Sequence, residues 1–160
     1  MQKQRVAFGF SLVELILVMA ILLALTVPIY LRWFGSSMML TSQTQILANN
    51  LRYTQNLSMT QHQRFSLVII SETSYKIQDA AGQAVKNLLD DEVVTLTSGV
   101  KFDPFEDMIK EITFSSTGVP FILDRNSLSV PLTTPAELPL TLNGRTTVVT
   151  VNPATGMVTP

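Results

Sequence analysis

Hydrophobic and polar positions follow two rhythms along this chain, with the change near His62. From Phe10 to Leu31 the sequence is almost wholly apolar, interrupted by Ser11, Glu14, Thr26 and Pro28. A helix rises about 1.5 Å per residue, so roughly 20 such residues reach across a hydrocarbon core of about 30 Å. A transmembrane helix is therefore expected over 10–33. Tyr30, Arg32 and Trp33 at its far end are residue types that settle at a membrane–water interface. After Gly35-Ser36-Ser37 the pattern is one-sided: Ile46, Leu47, Leu51, Thr54, Leu57 and Ser58 recur at spacings of three and four, with Gln45, Asn49, Arg52, Gln55 and Asn56 between them. This predicts an amphipathic helical continuation over 34–62, with Met38 and Met39 filling gaps in a core.

Beyond Gln63 the period shortens to that of strands. Phe65–Ile70 and Tyr75–Ile77 are expected to form a hairpin around Glu72 and Ser74, followed by strands at Val93–Leu96, Ile112–Phe114, Val119–Leu123, Leu138–Leu142 and Thr146–Val151. Asn143-Gly144 is the strongest turn signal, because a two-residue hairpin needs positive φ at both central positions. Pro131, Pro135 and Pro139 mark irregular or edge segments. A long helix followed by consecutive strands reads as α+β, with the helix packed on an antiparallel sheet of a β-rich domain over 63–160.

Composition sharpens this picture. Hydrophobic residues make up 46% of the 160 positions and charged residues only 14%, but the apolar excess is concentrated in the N-terminal block. The net charge of −1 offers no electrostatic footprint for nucleic acid. There is no cysteine, hence no disulfide, thiolate metal site or cysteine nucleophile. His62 is the only histidine and reads as a solvated or capping residue at a helix end. Asp90-Asp91-Glu92 and Glu106-Asp107 lack the alternating oxygen ligands of a recognised calcium loop and read as solvated faces, with a calcium site as the less favoured alternative. No nucleophile elbow, phosphate loop or dinucleotide fingerprint is present. No cofactor and no enzymatic activity are expected.

Lys3 and Arg5 precede the apolar run and should hold that end in the cytoplasm, so the rest of the chain is exported. A cleaved secretory signal shares the basic start, but its apolar region is shorter, and Ala24-Leu25-Thr26 is a poor match to its cleavage site. Glu14 is the informative residue, because an ionisable group in a spanning segment calls for a named partner. It lies one helical turn after Phe10. If the chain were cut between Gly9 and Phe10, the new α-amino group would be that partner.

Gly9-Phe10-Ser11-Leu12-Val13-Glu14-Leu15, ahead of the apolar run, closely resembles the class III signal of type IV prepilins and type II secretion pseudopilins. The resemblance implies that 1–9 is a leader removed after Gly9 by prepilin peptidase, that Phe10 is then N-methylated, and that Glu14 pairs with a neighbouring subunit's amine as helices assemble. It implies a pilin-like fold with a helix bend at Pro28, although pilins usually place that proline a few residues later. The implied protein is a minor pilin or pseudopilin, single-pass in the bacterial inner membrane, with its N-terminus cytoplasmic and its C-terminal domain periplasmic. Its partners would be prepilin peptidase, other pilins of the filament, the inner-membrane assembly platform and the lipid bilayer. Leu51-Arg52, Ser116-Thr117-Gly118 and the ending Val149, Val151, Pro153, Thr155, Gly156, Val158 resemble the GspH/FimT group. Some members of that group capture DNA during uptake, which is the alternative function. Loss of Lys3 and Arg5 would take the charge from −1 to about −3, with Arg125 and Arg145 as the cations of the last segment, so nucleic acid is a disfavoured partner.

Overall fold

In the computed structural model the change of rhythm is where helix gives way to sheet. The structure describes residues 11–123 and 129–160, with the side chains of 24–36 and 123 outside the described residues. Helix α1 spans Leu12–Gln61. His62 then turns the chain out of it at φ 53°, a left-handed conformation that histidine adopts more readily than most side chains. Contacts divide the chain into one unit over Met1–Ser36 and another over Ser37–Pro160.

In the second unit the described strands are all antiparallel and form two sheets. The first contains β1 (Phe65–Ser71), β2 (Ser74–Asp79), β3 (Ala84–Val85), β4 (Val93–Thr95), β6 (Glu111–Phe114), β7 (Pro120–Leu123) and β8 (Ser129–Pro131). Its order is β3-β2-β1-β6-β7-β8, with β4 also paired to β2. The second contains β5 (Lys101–Phe102), β9 (Ala136–Leu142), β10 (Arg145–Val151) and β11 (Val158–Thr159), in the order β11-β10-β9-β5. The fold is α+β.

Period-two patterning decides which strand faces are buried. Ala136, Leu138, Leu140 and Leu142 alternate inward along β9, as do Phe65, Leu67 and Ile69 along β1. Asn143 (φ 51°) and Gly144 (φ 76°) close the β9–β10 hairpin with the two positive φ values its two-residue turn requires. Pro139 sits inside β9 without breaking the ladder. Its carbonyl accepts from the Asp103 N–H at 3.4 Å, so it faces the side on which β5 has already ended. Pro131 lies in the edge strand β8. Both prolines occupy the positions that a missing N–H allows.

The helical stripe that meets the sheets is Leu40, Thr44, Leu47, Ala48, Leu51, Thr54 and Ser58, all buried. Its three hydroxyls donate to carbonyls one turn back, at 2.8 Å for Thr44, 2.7 Å for Thr54 and 3.0 Å for Ser58. Polar groups can therefore share a buried face with leucines at little cost. Ser58 Oγ also accepts the Phe65 N–H at 3.2 Å, tying the start of β1 to the last turns of α1. Two expectations need correction. Met38 and Met39 are exposed rather than in the core, because the buried stripe begins only at Leu40. Ile46 and Leu57 are half-buried, and Asn50, which carries an amide, is enclosed in their stead.

Asn50 explains itself through Tyr75, which is wholly buried on β2. The Asn50 amide donates to the Tyr75 hydroxyl at 2.8 Å, and the Tyr75 ring stands edge-on to Phe102 with centroids 6.3 Å apart. Burial pushes the phenol up to about 12, although the Asn50 hydrogen bond pulls the other way.

Candidate functional site

Two places carry the residues that the sequence singles out. The first is the start of α1. Gly9 and Phe10 lie outside the described residues. Ser11 caps the helix: its Oγ accepts the Glu14 N–H at 3.2 Å, and its carbonyl accepts the N–H groups of Glu14 (3.0 Å) and Leu15 (3.2 Å). Glu14 is exposed in the first turn, where the helix dipole favours a carboxylate. From Leu12 to Leu23 nearly every large side chain is apolar and exposed, between 44% and 74%. Solvent exposure of that extent marks a surface made to be covered. Among the described residues no helix is long and apolar enough to cross a membrane. The remainder of the span expected over 10–33, with Pro28 in it, falls where side chains are outside the described residues.

The second place lies between the sheets. Gln55, which the sequence pattern shows only as a polar spacer, reaches from α1 to two turns at once. Its Nε2 donates to the Gly118 carbonyl at 3.0 Å and to the Thr155 carbonyl at 3.1 Å. The first acceptor is in the β6–β7 turn and the second in the β10–β11 turn, so one amide joins both sheets to the helix. Three residues earlier on the helix, Arg52 Nη2 donates to the Val158 carbonyl at 2.8 Å. Gly118 (φ 80°) and Gly156 (φ 67°) take left-handed conformations in those turns. A Cβ on Gly156 would meet Gln55 Nε2 and come within 2.5 Å of the Gly118 oxygen. The Ser116-Thr117-Gly118 and Thr155-Gly156 matches, remote in sequence, are thus a single contact in space. Gln55→Ala is expected to cost about 1–2 kcal/mol by stranding two carbonyls at a packed junction. A lowered midpoint in urea unfolding, with an unchanged slope, is the measurement that checks it.

Chemistry is sparse elsewhere. Among the described residues there is no group of three or more histidine, cysteine, aspartate or glutamate side chains placed to hold a metal ion. His62 is exposed at the end of α1. Asp90 pairs with Lys86 at 2.8 Å and Glu106 with Lys110 at 3.6 Å, both at the surface. Three further cations have near neighbours: Arg64 lies 5.5 Å from the Phe121 ring centroid, Lys110 lies 4.4 Å from that of Phe105, and Lys101 is 3.8 Å from Asp103. Arg125 lies outside the described residues.

The described fold, a helix laid across antiparallel sheets with its last turns joined to turns of both, has counterparts among solved structures. Two crystal structures of the type IV minor pilin FimU from Pseudomonas aeruginosa (strain PAO1) are similar. One, in space group P21, has a TM-score of 0.57 at 16% identity, over 79% of this chain and 90% of that chain. The other, in space group P65, has a TM-score of 0.54 at 16% identity, over 75% and 90%. At this identity the likeness is one of fold. No protein-family model matches the chain, and no curated protein matches it.

Proposed function

We propose that this protein is a minor pilin or pseudopilin, a structural or initiating subunit of a type IV pilus or a type II secretion pseudopilus. The observation that carries this reading is a coincidence of two independent features. A chain that opens with Gly9-Phe10-Ser11-Leu12-Val13-Glu14 also has the fold of a minor pilin over most of its length. On this reading 1–9 is a leader, prepilin peptidase cuts after Gly9 and methylates Phe10, and 10–33 spans the bacterial inner membrane with the β-rich domain on the periplasmic side. The exposed apolar side chains of Leu12–Leu23 would then face lipid before assembly and neighbouring helices afterwards. Pro28 would supply a bend in that helix.

Glu14 is the residue on which assembly would turn. In lipid, apolar helices gain little by associating, so one complementary charge pair sets register. The Phe10 α-amine of a neighbouring subunit is the cation of matching chemistry. Other pilins and the inner-membrane assembly platform are the implied partners, and the role is structural rather than catalytic. DNA capture is the alternative, but Arg52, Arg64, Lys86, Lys101 and Lys110 sit against a carbonyl, rings or carboxylates, and the net charge of −1 offers no electrostatic footprint for nucleic acid.

The test is mass spectrometry of the protein from its own membranes, combined with Glu14→Ala. The expected mature chain starts at a methylated Phe10. The variant should be inserted and processed normally, yet be lost from assembled filaments by tenfold or more. A chain starting near Val27, or an alanine variant that assembles normally, would overturn the reading.

A further inference from the structure

The free edge of β2 is covered by what is, in register, one interrupted strand. Val85 of β3 pairs with Ile77 and Val93 of β4 with Lys76, adjacent residues of β2. A continuous strand would need nothing between Val85 and Val93, yet residues 86–92 leave the sheet there and return. The excursion is closed on itself. Asn87 Oδ1 accepts the N–H groups of Leu89 (2.6 Å) and Asp91 (3.1 Å). The Asn87 N–H donates to the Asp91 carbonyl at 2.9 Å, and the Asp90 N–H donates to the Asn87 carbonyl at 3.2 Å. Lys86 and Asp90 bridge its base. Asn87 is only 6% exposed, whereas Leu88 and Leu89 at the tip are 58% and 66% exposed. Among the described residues Asn87 Nδ2 is a buried donor with no partner, a penalty the fold bears in keeping this turn.

We propose that Leu88 and Leu89 form a preformed knob that docks into an apolar socket on a different protein, one whose socket is rimmed by lysine or arginine. The two leucines stand outside this protein's core, and their turn is closed by its own hydrogen bonds, which lowers the cost of ordering a loop on docking. Charge chooses the partner. Within 86–92, Asp90, Asp91 and Glu92 set three carboxylates against the one ammonium of Lys86, which steers towards a cationic rim and away from anionic lipid. On a second copy of this chain, the cleft on the 106–111 segment is lined by Glu106, Asp107 and Glu111 against the single Lys110, so that cleft is not such a cationic rim. The inference stands on the loop's geometry and does not depend on the assembly role proposed above.

Photo-crosslinking tests it, with a benzophenone-bearing residue in place of Leu88 in the full-length protein, in the cells that make it. Mass spectrometry should map the adduct to one protein, at an apolar segment with lysine or arginine beside it. The yield should fall at least tenfold with Asp91→Lys/Glu92→Lys, whose side chains are exposed and whose melting temperature should match the parent's. Asn87→Ala should also lower the yield by opening the turn. An adduct to lipid or to a second copy of the chain, no adduct, or a yield indifferent to charge reversal would overturn the proposal.

Discussion

Gly156→Ala is expected to destabilise the protein by on the order of 3 kcal/mol. Two penalties combine at this position. A non-glycine residue at φ 67° costs about 1–2 kcal/mol through the clash of its Cβ with its own backbone. The added carbon would also press on the Gly118 carbonyl at 2.5 Å and on the Gln55 amide; the first is backbone of a turn, and the second could move aside only by giving up its two hydrogen bonds. Gly82 supplies the comparison, because its φ of 79° is similar but nothing lies within 4 Å of the added carbon. Gly82→Ala should therefore lose only the backbone part, about 1 kcal/mol. Urea unfolding of the two variants separates the terms, and equal losses would show that the contact between the turns is not tight.

Tyr75 is expected to make the protein sensitive to alkali in a defined window. Its phenol titrates near 10 when unfolded and is pushed up to about 12 by burial in the native state. The fold thus favours the protonated hydroxyl. This contribution is complete below about pH 10 and is lost as pH rises towards 12, at roughly 1.4 kcal/mol per pH unit and on the order of 3 kcal/mol in all. Tyr75→Phe should flatten that limb relative to the parent. At neutral pH the same change should cost about 1–3 kcal/mol, because the buried Asn50 amide loses its 2.8 Å acceptor. Adding Asn50→Leu should recover much of this, since removing both partners leaves no stranded polar group. Parallel stability curves for parent and Tyr75→Phe between pH 9 and 12 would rule out a buried phenol.

Both effects arise where an amide from α1 meets a sheet, and neither amide is distinguished in the sequence from the ordinary polar residues of that helix. An asparagine at 50 and a glutamine at 55 look like solvent-facing members of an amphipathic helix. Asn50 is buried because its partner stands 25 residues away on β2. Gln55 ties the helix to two turns because its acceptors lie 63 and 100 residues further along. No local pattern encodes partners at such separations.

What the sequence determined by itself is whatever depends on neighbours within a few residues. The helical stripe of Leu47, Leu51, Thr54 and Ser58 follows from a 3.6-residue period, and the alternation along β1 and β9 from a period of two. The Asn143-Gly144 hairpin follows from the backbone preferences of those two residues. Tertiary structure alone decided that the strands divide into two sheets, that β3 and β4 share one edge of β2, and that the turns holding Gly118 and Gly156 meet over Gln55. It also decided that Met38 and Met39 stay in solvent, because how far a buried stripe extends depends on where the opposing surface ends. Periodicity states which side of an element is apolar. Only the packed chain states what that side meets.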